Sequence, residues 1–266
     1  MRVLNLSLFK PAAVAALAGL AGCVTPPVPP PPPAFVTASP AAAASGLPLP
    51  TLSPPAALRT EGLPPLPAAL LAQTQRYNQV VGHSFADWHP SQREMLVLHR
   101  PPGASTAQLF RLRSPGGKLE PLTSGADRVS SASWEPRDGR YIVFARDSGG
   151  NEAFQLYRLD PESGATTQIT PPDQRHSLMG WVKSRSLALV GSVPLDRTAS
   201  AGRRAEVTTT VSLVDPLNPA ARRKLVDLPG GGWFGAEVSP DEKQAAVTRY
   251  VSATESEVWL IELANG

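Results

Sequence analysis

Four histidines, His83, His89, His99 and His176, are the side chains best suited to bind a metal or move a proton. Metal ligation needs such groups to converge with carboxylates or thiolates, and no short zinc-type spacing links them. No metal and no other cofactor is expected. Glu255 and Glu257 stand two apart and share one face if both lie in a strand, but two acids at a strand edge are ordinarily solvated. Glu152 falls in a loop between two strands, and Asp241 and Glu242 in a turn. The run Gly230-Gly231-Gly232 lacks the Lys-Ser/Thr and the following helix of a phosphate loop, so it reads as a tight connection. Trp233, next to those glycines, could stack on a ligand. A strained Gly-x-Ser-x-Gly turn would expose a nucleophilic serine. Gly82-His83-Ser84 and Gly191-Ser192-Val193 both lack its flanking pattern. No nucleophile, base and orienting group can be named together, so no catalytic residue is assigned.

Charge excludes a further class. The formal net charge of +3 includes Arg2 and Lys10 of the first 23 residues, and without them 23 basic residues face 22 acidic ones. Nucleic-acid binding needs a concentrated basic surface. The clusters Arg203-Arg204 and Arg222-Arg223-Lys224 read as solvated loop charges, so no nucleic-acid partner is expected.

The N-terminus reads as a targeting segment. Arg2 and Lys10 precede a short apolar run from Ala12 to Ala21, too short to span a bilayer comfortably. It ends in Leu20-Ala21-Gly22-Cys23, which resembles the bacterial lipoprotein processing box. That resemblance implies lipid attachment at Cys23 and removal of the residues before it, so that Cys23 becomes the first residue. Val24 rather than Asp at the next position implies outer-membrane sorting, with the chain facing the periplasm. Cys23 is the only cysteine, so no intrachain disulfide can form.

Residues 24–67 hold 15 of the 30 prolines. Pro29 to Pro33 favours polyproline II, and the Pro/Ala composition cannot bury enough surface to fold. A disordered, semi-rigid tether is expected, reaching on the order of 130 Å at about 3.1 Å per residue.

Beyond a short helix from Ala68 to Gln75, the chain repeats with a period of about 47 residues. Trp88-His89-Pro90, Trp134-Glu135-Pro136 and Val238-Ser239-Pro240 open three copies, and Trp181-Val182-Lys183 opens a degenerate one. In the second copy, Val129 to Trp134, Tyr141 to Ala145, Phe154 to Leu159 and Thr166 to Thr170 read as strands. Pro136-Arg137-Asp138-Gly139 and Asp160 to Gly164 read as turns. Four antiparallel strands in sequence make one propeller blade. The expected fold is therefore all-β: a partial propeller of about four blades over residues 68–266, at roughly 76–123, 129–170, 177–228 and 233–266. The last copy stops at the turn before its fourth strand, and Gln73 to Val81 could supply that strand. An insertion, Pro194 to Ala205, is expected as an exposed loop.

Phe85-Ala86-Asp87-Trp88-His89-Pro90, Gly149 to Tyr157 and Gly230-Gly231-Gly232-Trp233 resemble the N-terminal propeller of bacterial prolyl oligopeptidase-type serine peptidases. That group includes dipeptidyl peptidase IV. Trp-x-Pro and Asp-Gly turns also recur in other propellers, TolB-like ones among them. The resemblance implies a propeller that gates substrates for a C-terminal α/β-hydrolase domain absent from this sequence. Its blade loops would contact peptide or that domain, which makes Glu152 and Trp233 candidate contacts. The partners implied are the membrane through a lipid anchor and a peptide substrate or separately encoded hydrolase domain. The alternative is a stand-alone TolB-like lipoprotein that binds an envelope protein.

Overall fold

The structure, a computed structural model, describes residues 50–78, 81–195 and 207–264. Expectations for Cys23, for residues 24–49 and for most of the 194–205 insertion lie outside the described residues. The chain divides into two compact units, the second holding the blades from Val81 onward.

In the first unit, β1 (Thr51–Leu52) pairs antiparallel with β2 (Leu66–Pro67), an ordered contact inside the Pro/Ala-rich segment that composition alone does not predict. Helix α1 (Ala68–Asn78) follows at once. Ala, Leu and Gln are strong helix formers, and a proline just before a helix is tolerated because no intrahelical N–H is lost there. Residues 73–78 are therefore helix, not the spare strand considered for the last blade.

The second unit contains four antiparallel sheets arranged as a four-blade β-propeller. The first holds β3 (His83–Trp88), β4 (Met95–His99), β5 (Gln108–Leu112) and β6 (Leu119–Pro121). The second holds β7 (Val129–Trp134), β8 (Ile142–Arg146), β9 (Gln155–Leu159) and β10 (Thr166–Gln168). The third holds β11 (Gln174–Val182), β12 (Leu187–Pro194), β13 (Thr208–Asp215) and β14 (Asn218–Pro229). The fourth holds β15 (Trp233–Val238), β16 (Gln244–Ser252) and β17 (Glu255–Glu262), and no fourth strand joins it among the described residues. Strand β14, at 12 residues, is the longest described strand.

Alternation along β8 shows why these sequences form blades. Ile142 and Phe144 pack toward the first sheet with Leu96 and Leu109, while Val143 and Ala145 pack toward the third with Ala188 and Val190. A strand buried on both faces reads as a continuous apolar run, and each such side chain contributes about 1.5–3 kcal/mol on burial. The register between first and second strands slips once in every blade: at Phe85/Asp87, Val129/Ser131, Leu178/Gly180 and Phe234/Ala236. A bulge in the first strand of every blade increases the local twist.

Consecutive sheets touch in series, and none of comparable extent joins the first to the fourth among the described residues. Polar links stitch each seam. Asp87 Oδ2 accepts from Ser133 Oγ at 2.7 Å and from the Trp134 N–H at 2.9 Å. Arg111 Nη1 meets Glu162 Oε1 at 2.8 Å across the same seam. Ser186 donates its hydroxyl to the fully buried Glu135, and Trp181 Nε1 donates to Ser133 Oγ at 3.0 Å. At the last seam the Ser184 N–H donates to Glu242 Oε1 at 2.7 Å, and Arg223 Nη2 donates to the Leu263 carbonyl at 2.8 Å.

Candidate binding groove between the third and fourth blades

The inner strands β11 and β15 run side by side, and they approach most closely where Gly180 meets the Ala236 carbonyl. On either side of that contact the seam opens into a groove. One, near the strand ends, is lined by Trp181, Lys183, Glu237, Ser239 and Glu242 and holds about 540 Å³. The other, near the strand starts, holds about 530 Å³. Its walls are Phe154, His176, Val193, Trp233, Phe234 and Tyr250, with Arg175 and Ser177 at the exposed rim.

Trp233 is thus part of the second groove, but as a wall. Its ring is buried, Nε1 donates to the Pro229 carbonyl at 3.0 Å, and Trp259 stands edge-on at 5.2 Å. The Arg249 guanidinium lies 5.6 Å from the ring centroid and pairs with Glu257 at 3.3 Å. Gly232 makes the sharp entry into β15 possible: its φ is +83°, and a Cβ there would collide with the Tyr250 carbonyl. The glycine run therefore serves as the tight connection anticipated from its sequence.

Glu152 is exposed at a positive φ of 56°, and its N–H donates to Asp147 Oδ2 at 3.3 Å. It does not line the groove, although Phe154, two residues on, does. The structure therefore does not bring the two candidate contacts together. Glu257 is engaged by Arg249 and by Trp259 Nε1 at 3.0 Å, so Glu255 and Glu257 are not a free carboxylate pair. His83 and His99 stack at 4.1 Å, and His89 Nδ1 accepts N–H bonds from Ser91 and Gln92. Among the described residues no three His, Cys, Asp or Glu side chains converge as metal ligands.

Sequence reasoning missed a serine–histidine contact. His176 and Ser192 face each other across β11 and β12, with His176 Nδ1 2.9 Å from Ser192 Oγ. His176 Nε2 lies 2.9 Å from the Pro171 carbonyl, so the ring proton sits on Nε2 and Nδ1 accepts the Ser192 hydroxyl. Arg222 Nη2 donates to the same Ser192 oxygen at 2.7 Å. Ser192 is only 1% exposed. A hydroxyl so enclosed satisfies its neighbours and cannot reach a substrate. The hairpin register, had it been fixed, would have revealed the pair. Arg175, Phe154 and Tyr250 were missed because they sit at strand ends of three different sheets.

Burial pushes the His176 imidazole down to about 4, and the nearby Arg222 charge adds to the effect. Its folded value lies below the ordinary 6.5, so its contribution is complete above that pH and is lost as pH falls toward 4. That loss is on the order of 3 kcal/mol. A His176→Gln chain should show a flatter stability curve between pH 6.5 and 4 in urea titrations; an unchanged slope would refute the assignment.

No protein-family model and no curated protein matches the chain. Solved structures do. TolB from Acinetobacter baumannii superposes with a TM-score of 0.50 at 17% identity, over 70% of this chain and 42% of its own. A prolyl endopeptidase gives 0.52 at 14% identity, over 73% and 30%. An oligogalacturonate lyase from Vibrio parahaemolyticus gives 0.50 at 10%, over 69% and 52%. The chain shares the β-propeller fold of these proteins and spans from under a third to about half of their lengths.

Proposed function

We propose that this chain is a non-catalytic propeller of the cell envelope that holds or gates peptide segments for a prolyl oligopeptidase-type serine peptidase. The α/β-hydrolase domain would lie outside this sequence. The observation that carries the reading is the groove at the start of β11 and β15. Its aromatic walls suit an apolar side chain, and the exposed Arg175 at its rim suits a carboxylate or carbonyl beside it. Lipid attachment at Cys23 would hold the propeller at the outer membrane, facing the periplasm, and the prolines of residues 24–67 would let it stand away from the lipid.

Titrating the purified chain with proline-containing peptides tests this. Saturable quenching of tryptophan fluorescence is expected, without hydrolysis. Trp233→Phe should weaken binding about tenfold or more, since an aromatic contact is worth about 1–2 kcal/mol at a well-packed site. Peptide hydrolysis by the chain alone would sink the non-catalytic reading. The TolB likeness favours a second reading, a stand-alone module that binds a folded envelope protein. In that case short peptides should not bind, and Trp233→Phe should leave peptide titrations featureless.

A further inference from the structure

Most polar side chains on the walls of the groove at the start of β11 and β15 are already engaged within the fold. Both His176 nitrogens are bonded, Thr209 Oγ1 donates to the Gly230 carbonyl at 2.9 Å, and Trp233 Nε1 donates to the Pro229 carbonyl. The Arg175 guanidinium and the Ser177 and Tyr250 hydroxyls are left over, and among the described residues none of the three has a side-chain partner. All three can donate a hydrogen bond. Arg175 carries the only full charge on the walls, and no carboxylate lines them. The part-buried cations behind the walls are already matched: Arg249 pairs with Glu257 at 3.3 Å, and Asp173 offsets Arg222. Free donors around an unmatched cation select an anion. Phe154, Arg175 and Ser177 belong to the second and third blades, which have a blade on either side within this sequence, and Trp233 is buried at its seam.

Beside the donors the walls are apolar, with Phe154, Val193, Trp233 and Phe234, and the space of about 530 Å³ is of the size that small ligands fill. The groove is blind where Gly180 meets the Ala236 carbonyl. A strand cannot lie through it, but one side chain can enter end-on. The anion must then belong to the residue whose side chain has entered. Neighbouring side chains of an extended peptide point to opposite faces, so an acid next to the apolar residue would face away from Arg175. A terminal carboxylate does not, because it is bonded to the same Cα as the side chain in the groove.

We propose that this groove captures the free C-terminus of a peptide whose last residue is large and apolar, with the side chain against Trp233 and the carboxylate on Arg175 and Ser177. The assignment rests on the peptide-holding reading above and narrows it to a chain end.

Calorimetric titration of the full chain with Ala-Pro-Ala-Ala-Phe tests this, using one form with a free C-terminus and one amidated form. The free acid is expected to bind about five- to tenfold tighter, since charge-assisted hydrogen bonds are roughly twice as strong as neutral ones. Arg175→Gln should erase that difference by weakening the free acid alone, and at an exposed position it should leave the fold intact. Equal binding of the two forms by the unsubstituted chain would overturn the C-terminal assignment and leave the peptide-holding reading standing. Binding of neither form would overturn both. An undiminished preference in Arg175→Gln would place the carboxylate elsewhere and refute the site. So would an amidated Ala-Pro-Phe-Asp-Ala that binds as tightly as the free acid.

Discussion

Glu135→Ala should destabilise the propeller by about 3–5 kcal/mol, the range for uncovering partners of a buried charge. Glu135 has no exposed surface. Its carboxylate accepts from the N–H groups of Asp138 at 2.9 Å, Arg137 at 3.2 Å and Arg140 at 3.4 Å, and from the Ser186 hydroxyl of the next blade. Alanine removes the acceptor and leaves three N–H groups and a hydroxyl facing a void, each a desolvated donor. The acid limb gives a second readout. Burial alone would push this carboxyl up, but the Ser186 hydroxyl and the three N–H groups outweigh it and hold the group below the usual carboxylate range. A lowered folded value gives stability that is complete above the ordinary glutamate value of about 4.3 and is lost as pH falls through the depressed one. Glu135→Gln should therefore remove the part of the acid transition below about pH 4, while the His176 part above it remains. Urea midpoints across that range check both; a Glu135→Ala chain within about 0.5 kcal/mol of wild type would refute the role.

The second large effect is expected at Gly180. A methyl group there would overlap the Ala236 carbonyl of the next inner strand. That carbonyl belongs to a bulged strand laddered to β16 and packed against β11, and it cannot withdraw without parting the third and fourth blades. Gly180→Ala should cost about 2–3 kcal/mol, the usual penalty of overpacking, and should change the fluorescence of Trp233, whose ring lies at the same seam. Gly82→Ala, with open space around the added methyl, is the matched control and should shift stability by less than about 0.5 kcal/mol. Equal midpoints for the two variants would remove the argument that this contact sets the spacing of the blades.

The blades were legible in the sequence because their signal is doubled. Strand alternation and a period of about 47 residues mark the same positions, so even the degenerate third copy could be placed. Tyr141 to Ala145 read as a strand buried on both sides, and all five residues are buried. Seams were not legible. Nothing in the types of Glu135 and Ser186, or of Asp87 and Ser133, announces that they meet, since each pair is joined by strand register and blade rotation together. The groove was half legible for the same reason. Trp233 stood out beside its glycines, whereas Phe154 and Tyr250 look like ordinary strand residues until three sheets bring their ends together. Glu152 stood out as a loop acid and lies outside the groove.

Every sheet of the propeller pairs only strands that are neighbours along the chain. Among the described residues, each ladder joins strands that follow one another directly. Such a chain closes only short loops as it folds, which keeps the entropic cost of each step low. It can also mature in the order of its synthesis, each finished blade presenting a template on which the next one settles.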